Sequence, residues 1–399
     1  MGSAVKIAIW WQQDSWGGVD SHLAALLNAW PRTDRFTVFY NSGNRGFQRI
    51  ERMIAAPNIE PVAFSSWQTG GAGFASRVMR YLLLPWRFWT ATRWVRRLLA
   101  AHGPFDAMIA ENGAYPGAWS CLAALKAARD LGIKKRMLVV HHAAASYTLG
   151  RRLFEKLVDR SVQRWATDLV AVSQATRQSL LSLRGFDAEV NPIRVVHNGI
   201  SVPQTIAAER ALRARWGFRA DDFLVGIVGR IERYKGHDDL LEGIAKVRCP
   251  LREHLRLAVV GTGSEQEVVR LKSMAERMGL SNSVQFIGYV DEDPVTIARQ
   301  FDLLAMVTKD FEGFGLSIAE AMAAGTPVLA TTVGGVPEFI SDDVAMLIPP
   351  ESPSEIARCL EYALASPEAL AQRAKKAKAH IAGFTAEVMA DKFQRLLMQ

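Results

Sequence analysis

Two carboxylates eight residues apart, Glu312 and Glu320, flank the turn Gly313-Phe314-Gly315-Leu316. The apolar run Leu316, Ile318, Ala319, Met322 and Ala323 predicts a helix opening from that turn, and the glycines let backbone come close to a ligand. Free N–H groups at a helix start, together with its dipole, favour an anionic or hydroxyl-rich ligand. Glu320 falls about one turn further along, at ~1.5 Å rise per residue, where it can accept from a pair of vicinal hydroxyls. Upstream, Gly229-Arg230 and Lys235-Gly236 follow the β-rich run Phe223 to Val228. A planar guanidinium and a compact ammonium at the C-terminal edge of a parallel strand can clamp a diphosphate from two sides. The chemistry these residues can serve is departure of a diphosphate from a hydroxyl-rich group.

The Glu312 to Glu320 segment, with the trailing Ala323-Ala324-Gly325-Thr326-Pro327-Val328, resembles the E-x7-E signature of the family 4 retaining glycosyltransferases. That family includes enzymes of bacterial cell-surface polysaccharide and lipid-linked glycan synthesis, and its fold is GT-B. The resemblance covers most of the chain and is strongest from Gly229 to Glu338. It implies that Arg230 and Lys235 neutralise a leaving nucleoside diphosphate. Glu312, Gly313, Phe314, Gly315, Leu316 and Glu320 would form the donor-binding turn, Glu312 positioning sugar hydroxyls and Glu320 the donor ribose. Tyr289 and Val290 would wall the nucleobase. Gly263, in Gly261-Thr262-Gly263 after another strand, reads equally as a phosphate-facing loop and as a tight strand–helix turn. Gly17 and Gly18, after the first strand, resemble the family's first Gly-rich loop, which touches donor phosphate and shapes the acceptor pocket. His141-His142 ends the run Met137 to Val140, and the resemblance carries a strand-end catalytic histidine onto His141 or its neighbour His142. Asn198 resembles an inter-domain Asn-Gly turn, and Ser173 a serine recurring at a strand end.

Splitting a sugar–phosphate bond passes through an oxocarbenium-like centre, and well-placed donors to the departing charge contribute ~3–4 kcal/mol each. Double displacement needs two facing carboxyls ~5 Å apart, and no such pair is identifiable. The resemblance implies a same-face reaction, the leaving phosphate taking the acceptor proton. The expected activity is hexosyl transfer from a nucleotide-diphosphate sugar to a glycan or lipid-linked acceptor, with retention. The rival is a sugar-nucleotide epimerase of the same fold, similar to UDP-N-acetylglucosamine 2-epimerase. An inactive binding protein is disfavoured by the intact Arg230, Lys235, Glu312 and Glu320.

These residues need a scaffold that brings strand ends together. Lys6 to Trp10, Phe36 to Tyr40, Ala107 to Ala110, Met137 to Val140 and Asp168 to Val172 are apolar runs separated by helical ones. The rhythm repeats at 223–228, 256–260, 284–287, 303–307 and 327–330. Near-continuous apolar strands between helices predict parallel sheets covered on both faces. The expected fold is α/β, two Rossmann-like doubly wound domains facing across a cleft: an acceptor domain over 1–200 and a donor domain over 201–384. A helix over 385–399 is expected to cross back onto the first domain.

At 399 residues the chain is too long for one core, and its 49% apolar and 22% charged content is that of an ordinary globular protein. No uncharged apolar run reaches bilayer-spanning length, and the N-terminus reads as a strand rather than a signal peptide. The three cysteines, Cys121, Cys249 and Cys359, match no metal or redox spacing and fit a reducing cytosol. Asp291-Glu292-Asp293 precedes Pro294 and an apolar helical run, so a helix cap is expected there rather than a metal site, and no metal or other cofactor is expected. Residues 1–200 hold 25 Lys and Arg against 13 acids, the remainder 23 against 27. The stretch Arg77 to Leu99 holds six Arg, five aromatics, no acid and a Pro85 that should break or kink it. Such a stretch suits the headgroup region of an anionic membrane; no nucleic-acid recognition motif accompanies it. A cytoplasmic protein, peripheral on the inner face of the cell membrane, is expected.

Overall fold

The computed structural model describes residues 4–13, 17–30, 33–44, 58–65, 83–203 and 210–399. The chain divides into two compact units, Met1–Gly199 with Ala386–Gln399, and Ile200–Thr385. Trp16 and the 77–82 part of the basic stretch lie outside the described residues.

The first unit is built on strands β1 (Lys6–Trp11), β2 (Arg35–Asn41), β3 (Ile59–Phe64), β4 (Ala107–Asn112), β5 (Lys135–Val140), β6 (Asp168–Ala171) and β7 (Ile193–Val195). They pair in the order β3-β2-β1-β4-β5-β6-β7, all parallel. Its helices are α1 (Gly18–Ala29), α2 (Leu84–His102), α3 (Trp119–Asp130), α4 (Arg152–Trp165) and α5 (Gln174–Arg184). Successive residues of a strand point to opposite faces, so β1 divides its side chains between two cores. Ala8 and Trp10 join the core under α2, α3, α4 and α5. Ile7, Ile9 and Trp11 join the core beneath α1 and the helix Ala386–Met398.

The second unit has β8 (Phe223–Val228), β9 (Leu255–Val260), β10 (Val284–Gly288), β11 (Leu303–Met306), β12 (Val328–Thr331) and β13 (Met346–Ile348). Their order is β10-β9-β8-β11-β12-β13, again all parallel. Helices α6 (Ala211–Arg215), α7 (His237–Lys246), α8 (Glu265–Arg277), α9 (Pro294–Ala298), α10 (Leu316–Ala324), α11 (Pro353–Ala365) and α12 (Pro367–Ile381) follow, and the chain then re-enters the first unit as α13 (Ala386–Met398). Met389, Phe393 and Leu396 of α13 pack with Leu23, Leu26 and Ile9, so the expected return of this helix is observed. Each sheet reverses its strand order once, between β1 and β4 and between β8 and β11. Doubly wound sheets bind ligands at the C-terminal side of that reversal.

The helical part of the basic stretch begins at Pro85's own turn, and the residues of the stretch before Leu83 lie outside the described residues. Pro85 sits in the first turn of α2, where a missing N–H costs nothing. Phe88, Val95 and Leu99 are buried beneath α2, while Arg93, Arg96 and Arg97 face outward.

Candidate functional site

In the second unit, the segments following β8 and β11 meet at the strand reversal. The Lys235 ammonium donates to Glu312 Oε2 at 2.6 Å, joining residues 77 positions apart. Both side chains are mostly covered, 21% and 16% exposed. Thr308 Oγ1 lies 3.4 Å from the same carboxylate oxygen. Arg230 is held differently: its guanidinium donates to Glu232 at 2.8 Å and to the Tyr234 hydroxyl at 3.3 Å, and half of it is exposed. Burial pushes the Tyr234 hydroxyl well above its ordinary range, so it remains a neutral partner.

The Glu312 turn is fixed by its backbone. Gly335 N donates to the Glu312 carbonyl at 2.8 Å, and a Cβ on Gly334, whose φ is +55°, would come within 2.1 Å of that oxygen. Gly315, at φ +95°, begins α10 with no side-chain cap on the first N–H groups. Leu316 and Ser317 therefore open the helix with the uncapped donors a phosphate can use. Gly313 is buried, and Glu320 sits half-covered in the second turn of α10. The Phe314 side chain is buried and stacks on Phe339 at 4.3 Å, so it anchors the turn within the core and leaves any ligand contact to backbone.

Gly263 bridges Ile231, and a Cβ there would meet the Ile231 carbonyl at 2.4 Å. Its lack of a side chain is thus required by the close approach of two loops, and Ser264 caps α8 behind it. Tyr289 and Val290 leave the end of edge strand β10, Tyr289 half-exposed and Val290 partly covered. Asp293 Oδ1 accepts from Val295 N at 2.8 Å and Thr296 N at 3.3 Å, the helix cap expected of that acid run.

In the first unit the corresponding reversal holds a buried cluster that sequence reading only half found. His141, directly after β5, approaches Glu111 Oε2 on β4 with Nε2 at 2.7 Å. His22 of α1 lies against the same carboxylate, Nε2 to Oε1 3.8 Å, and its ring meets His141 edge-on at 4.5 Å. His22 Nδ1 pairs with Asn198 Oδ1 at 3.0 Å. Among the described residues, this is the group whose ligand-type atoms come close enough to share an ion, all within 4.8 Å. The hydrogen bonds to Glu111 and Asn198 already account for much of it.

Burial drives all three titrations away from charge. His22 is lowered to about 4 and His141 to about 3, while Glu111 is raised to about 6. His142, beside them, is only partly covered, so the fully enclosed histidine of the pair is His141. Gly17 N donates to Asp20 Oδ2 at 2.6 Å, and Asn44 holds the other oxygen of that buried acid. The Gly17-Gly18 loop is therefore fastened by a capping carboxylate. Ser173 is the N-cap of α5, accepting from Thr176 N at 3.1 Å. Glu111 and His22 were the residues missed; the one signal for Glu111 is an acid at the end of an otherwise apolar strand. The three cysteines are free thiols, Cys121 and Cys359 buried.

Comparison with known proteins bears on both units. Residues 16–203 match the model of Glycosyltransferase Family 4, and residues 208–380 that of Glycosyl transferases group 1. The chain belongs to the family 4 glycosyltransferases. It is 31% identical over 211 residues to the D-inositol 3-phosphate glycosyltransferase of Streptomyces scabiei, covering 51% of this chain and 47% of that protein. The enzyme of the same description from Mycolicibacterium smegmatis is 34% identical over 185 residues, 45% and 41% of the two chains. The chain thus spans about half the length of the curated relatives it matches. In fold it is similar over 99% of both chains to Anabaena Alr3699/HepE in complex with UDP and glucose, with TM-score 0.75 and 21% identity. It is also similar to WaaG, a glycosyltransferase involved in lipopolysaccharide biosynthesis, with TM-score 0.70 and 18% identity over 98% and 99% of the chains. The two parallel-sheet units are those of the GT-B fold.

Proposed function

We propose that this protein transfers a hexosyl group from a nucleotide-diphosphate sugar to a glycan or lipid-linked acceptor, with retention at the anomeric carbon. The observation that carries this reading is the Lys235–Glu312 pair at the strand reversal of the second unit, beside the uncapped start of α10. A diphosphate entering there meets the Lys235 ammonium, the Arg230 fork and the N–H groups of Leu316 and Ser317. Taking Lys235 as its own counter-ion, it releases Glu312 to accept from sugar hydroxyls, and Glu320 is assigned to the ribose. Tyr289 offers a ring to the nucleobase. The family match and the likeness to a chain bound to UDP and glucose support a nucleotide-sugar donor. His141, locked by Glu111, is assigned to the acceptor-binding unit.

As the sugar–phosphate bond lengthens, charge accumulates on the bridging oxygen, where these fixed donors lower the barrier without reorganising. In keeping with the family resemblance, the leaving phosphate oxygen takes the proton of an acceptor that attacks on the same face, which gives retention. Metal is not required in this scheme, since Lys235 and Arg230 supply the positive charge.

The test is incubation with UDP-, GDP- and ADP-sugars and a lipid-linked acceptor, with the anomeric configuration of the product read by NMR. Transfer with retention, resistant to EDTA, is expected. An inverted product would remove the same-face mechanism, and a 2-epimer formed without acceptor would replace transfer by epimerisation.

A further inference from the structure

Helix α4 has a charge distribution that its linear sequence conceals. Arg152, Lys156, Arg160 and Arg164 alternate with Glu155 and Asp159, which reads as a mixed, solvated helix. Folding sorts the signs. Glu155 and Asp159 turn inward and pair with the fully buried Arg184 at 2.9 and 3.0 Å, and the Tyr115 hydroxyl donates to Asp159 at 2.7 Å. Arg152, Arg160 and Arg164 remain exposed, and Lys156 is partly covered. The acids of the helix are spent inside the unit, so its outer face is basic.

That outer face also carries a leucine ladder. Leu149, in the turn before α4, and Leu153 and Leu157 on it recur every four residues and are 92%, 81% and 61% exposed. Their spacing puts Leu153 and Leu157 on one side of the helix, with Arg160 and Arg164 continuing the same row. The core contacts of α4 are made by Val158, Val162 and Trp165 instead. Aliphatic side chains left in register and rimmed by charge mark an interaction surface rather than stray exposure.

Helix α2 touches α4 from its inner side. Phe88 comes within 6.4 Å of Phe154 and stacks on Trp165 at 6.1 Å, tying the two helices through their inner aromatics. Outward, α2 presents Trp86 and Trp89, with the Arg93 guanidinium 3.4 Å above the Trp89 ring. Leucine, tryptophan and arginine without exposed acid on α4 complement the boundary between anionic headgroups and acyl chains. A second copy of the chain would bring like charges together, and a nucleic acid would leave the leucines unsatisfied.

We propose that α4, with α2 beside it, seats the first unit on an anionic bilayer, Leu153 and Leu157 entering the headgroup–acyl boundary. The surface deepens the reading of a lipid-linked acceptor and rests on it for its purpose, though not for its test. Flotation of the full chain with phosphatidylglycerol-rich and with pure phosphatidylcholine vesicles measures it. The wild type is expected to float with the anionic vesicles and to be released by salt. The pair Leu153→Gln and Leu157→Gln should lower partitioning at least about tenfold, given the burial energy of each leucine, with an unchanged melting temperature. Arg160→Gln and Arg164→Gln should each lower it about fivefold, the equivalent of ~1 kcal/mol per cation.

Equal flotation of the leucine variant and the wild type would overturn the proposal, as would indifference of the wild type to anionic lipid. Self-association in lipid-free solution that the leucine variant abolishes would assign the face to a second copy instead. Turnover of nucleotide sugar with a detergent-dispersed acceptor is measured in parallel. Vesicle binding without turnover would remove the transferase reading and leave the surface standing; turnover without vesicle binding would do the reverse.

Discussion

The 2.6 Å contact between Lys235 and Glu312 couples the two roles assigned to them, because the cation that is to hold phosphate is occupied by the acid that is to hold sugar. Replacing either one separates the roles. Lys235→Ala should weaken nucleoside diphosphate binding and slow transfer ~30- to 1,000-fold, a loss of ~2–4 kcal/mol. Glu312→Gln should leave nucleotide affinity equal or tighter while transfer falls ~10- to 100-fold, since the lysine is freed as the sugar contact is lost. Calorimetric titration with the nucleotide beside initial rates checks both; parallel losses of affinity in the two variants would sink the exchange. The cluster in the first unit makes a pH statement. His22 and His141 have native pKa values depressed from 6.5 to about 4 and about 3, so their contribution is present above pH 6.5 and is lost as pH falls towards those values. Glu111, raised from 4.5 to about 6, has the opposite sign, its cost being relieved as pH falls through 6. Two histidines outweigh one acid, each by at most ~1.4 kcal/mol per pH unit. Stability should therefore decline from pH 6.5 to 5, and His141→Asn should remove most of that decline in urea unfolding, because the one remaining histidine is then nearly offset by Glu111. A slope unaffected by the substitution would mean that the imidazole is charged or hydrated in the native state.

Helix ends decide much of what the elements do here. Asp293 caps α9 through two backbone N–H groups, so Asp293→Ala should cost ~1 kcal/mol of second-unit stability, and Asp293→Asn much less. Turnover of the alanine variant with saturating donor should stay near wild type, with or without EDTA. Loss of activity restored by Mn²⁺ would reassign the acid to metal binding. The strand–helix alternation, the Gly-rich turn before α10 and the position of Arg230 and Lys235 after β8 were all legible in sequence, because each is a local pattern with its own backbone requirement. Longer-range facts were not. Glu111 becomes a partner of His141 only through the pairing of β4 with β5, and His22 only through the packing of α1. Phe314 lies inside the Gly-rich turn before α10, yet its ring belongs to Phe339, and no spacing rule distinguishes a buried anchor from a ligand contact. The inward acids of α4 depend on Arg184, at least 25 positions away.

At the scale of the whole molecule, the first unit is completed by residues that arrive after the second has been built. The chain leaves the first unit at Gly199 and re-enters it at Ala386, and next to these crossings Ile200 bridges Thr385 and donates its N–H to the Phe384 carbonyl at 3.0 Å. Helix α13 then lays Met389, Phe393 and Leu396 into the core of Ile9, Leu23 and Leu26, and the Phe393 ring lies 5.6 Å from that of His22. Phe393 is fully buried, so truncation removes a large apolar volume from a close-packed region that can collapse only partly. Phe393→Ala should destabilise the first unit by ~3–5 kcal/mol, and Phe393→Leu by much less. Hydrogen exchange locates the effect: protection should fall in β1, β4 and α1, while β8, β11 and α10 keep theirs. Because the lost ring also supports His22, the alanine variant should lose transfer while still binding nucleoside diphosphate through Arg230 and Lys235. Equal loss of protection in both units would show that they unfold as one body, and no loss in either would mean that α13 adds nothing to the first core.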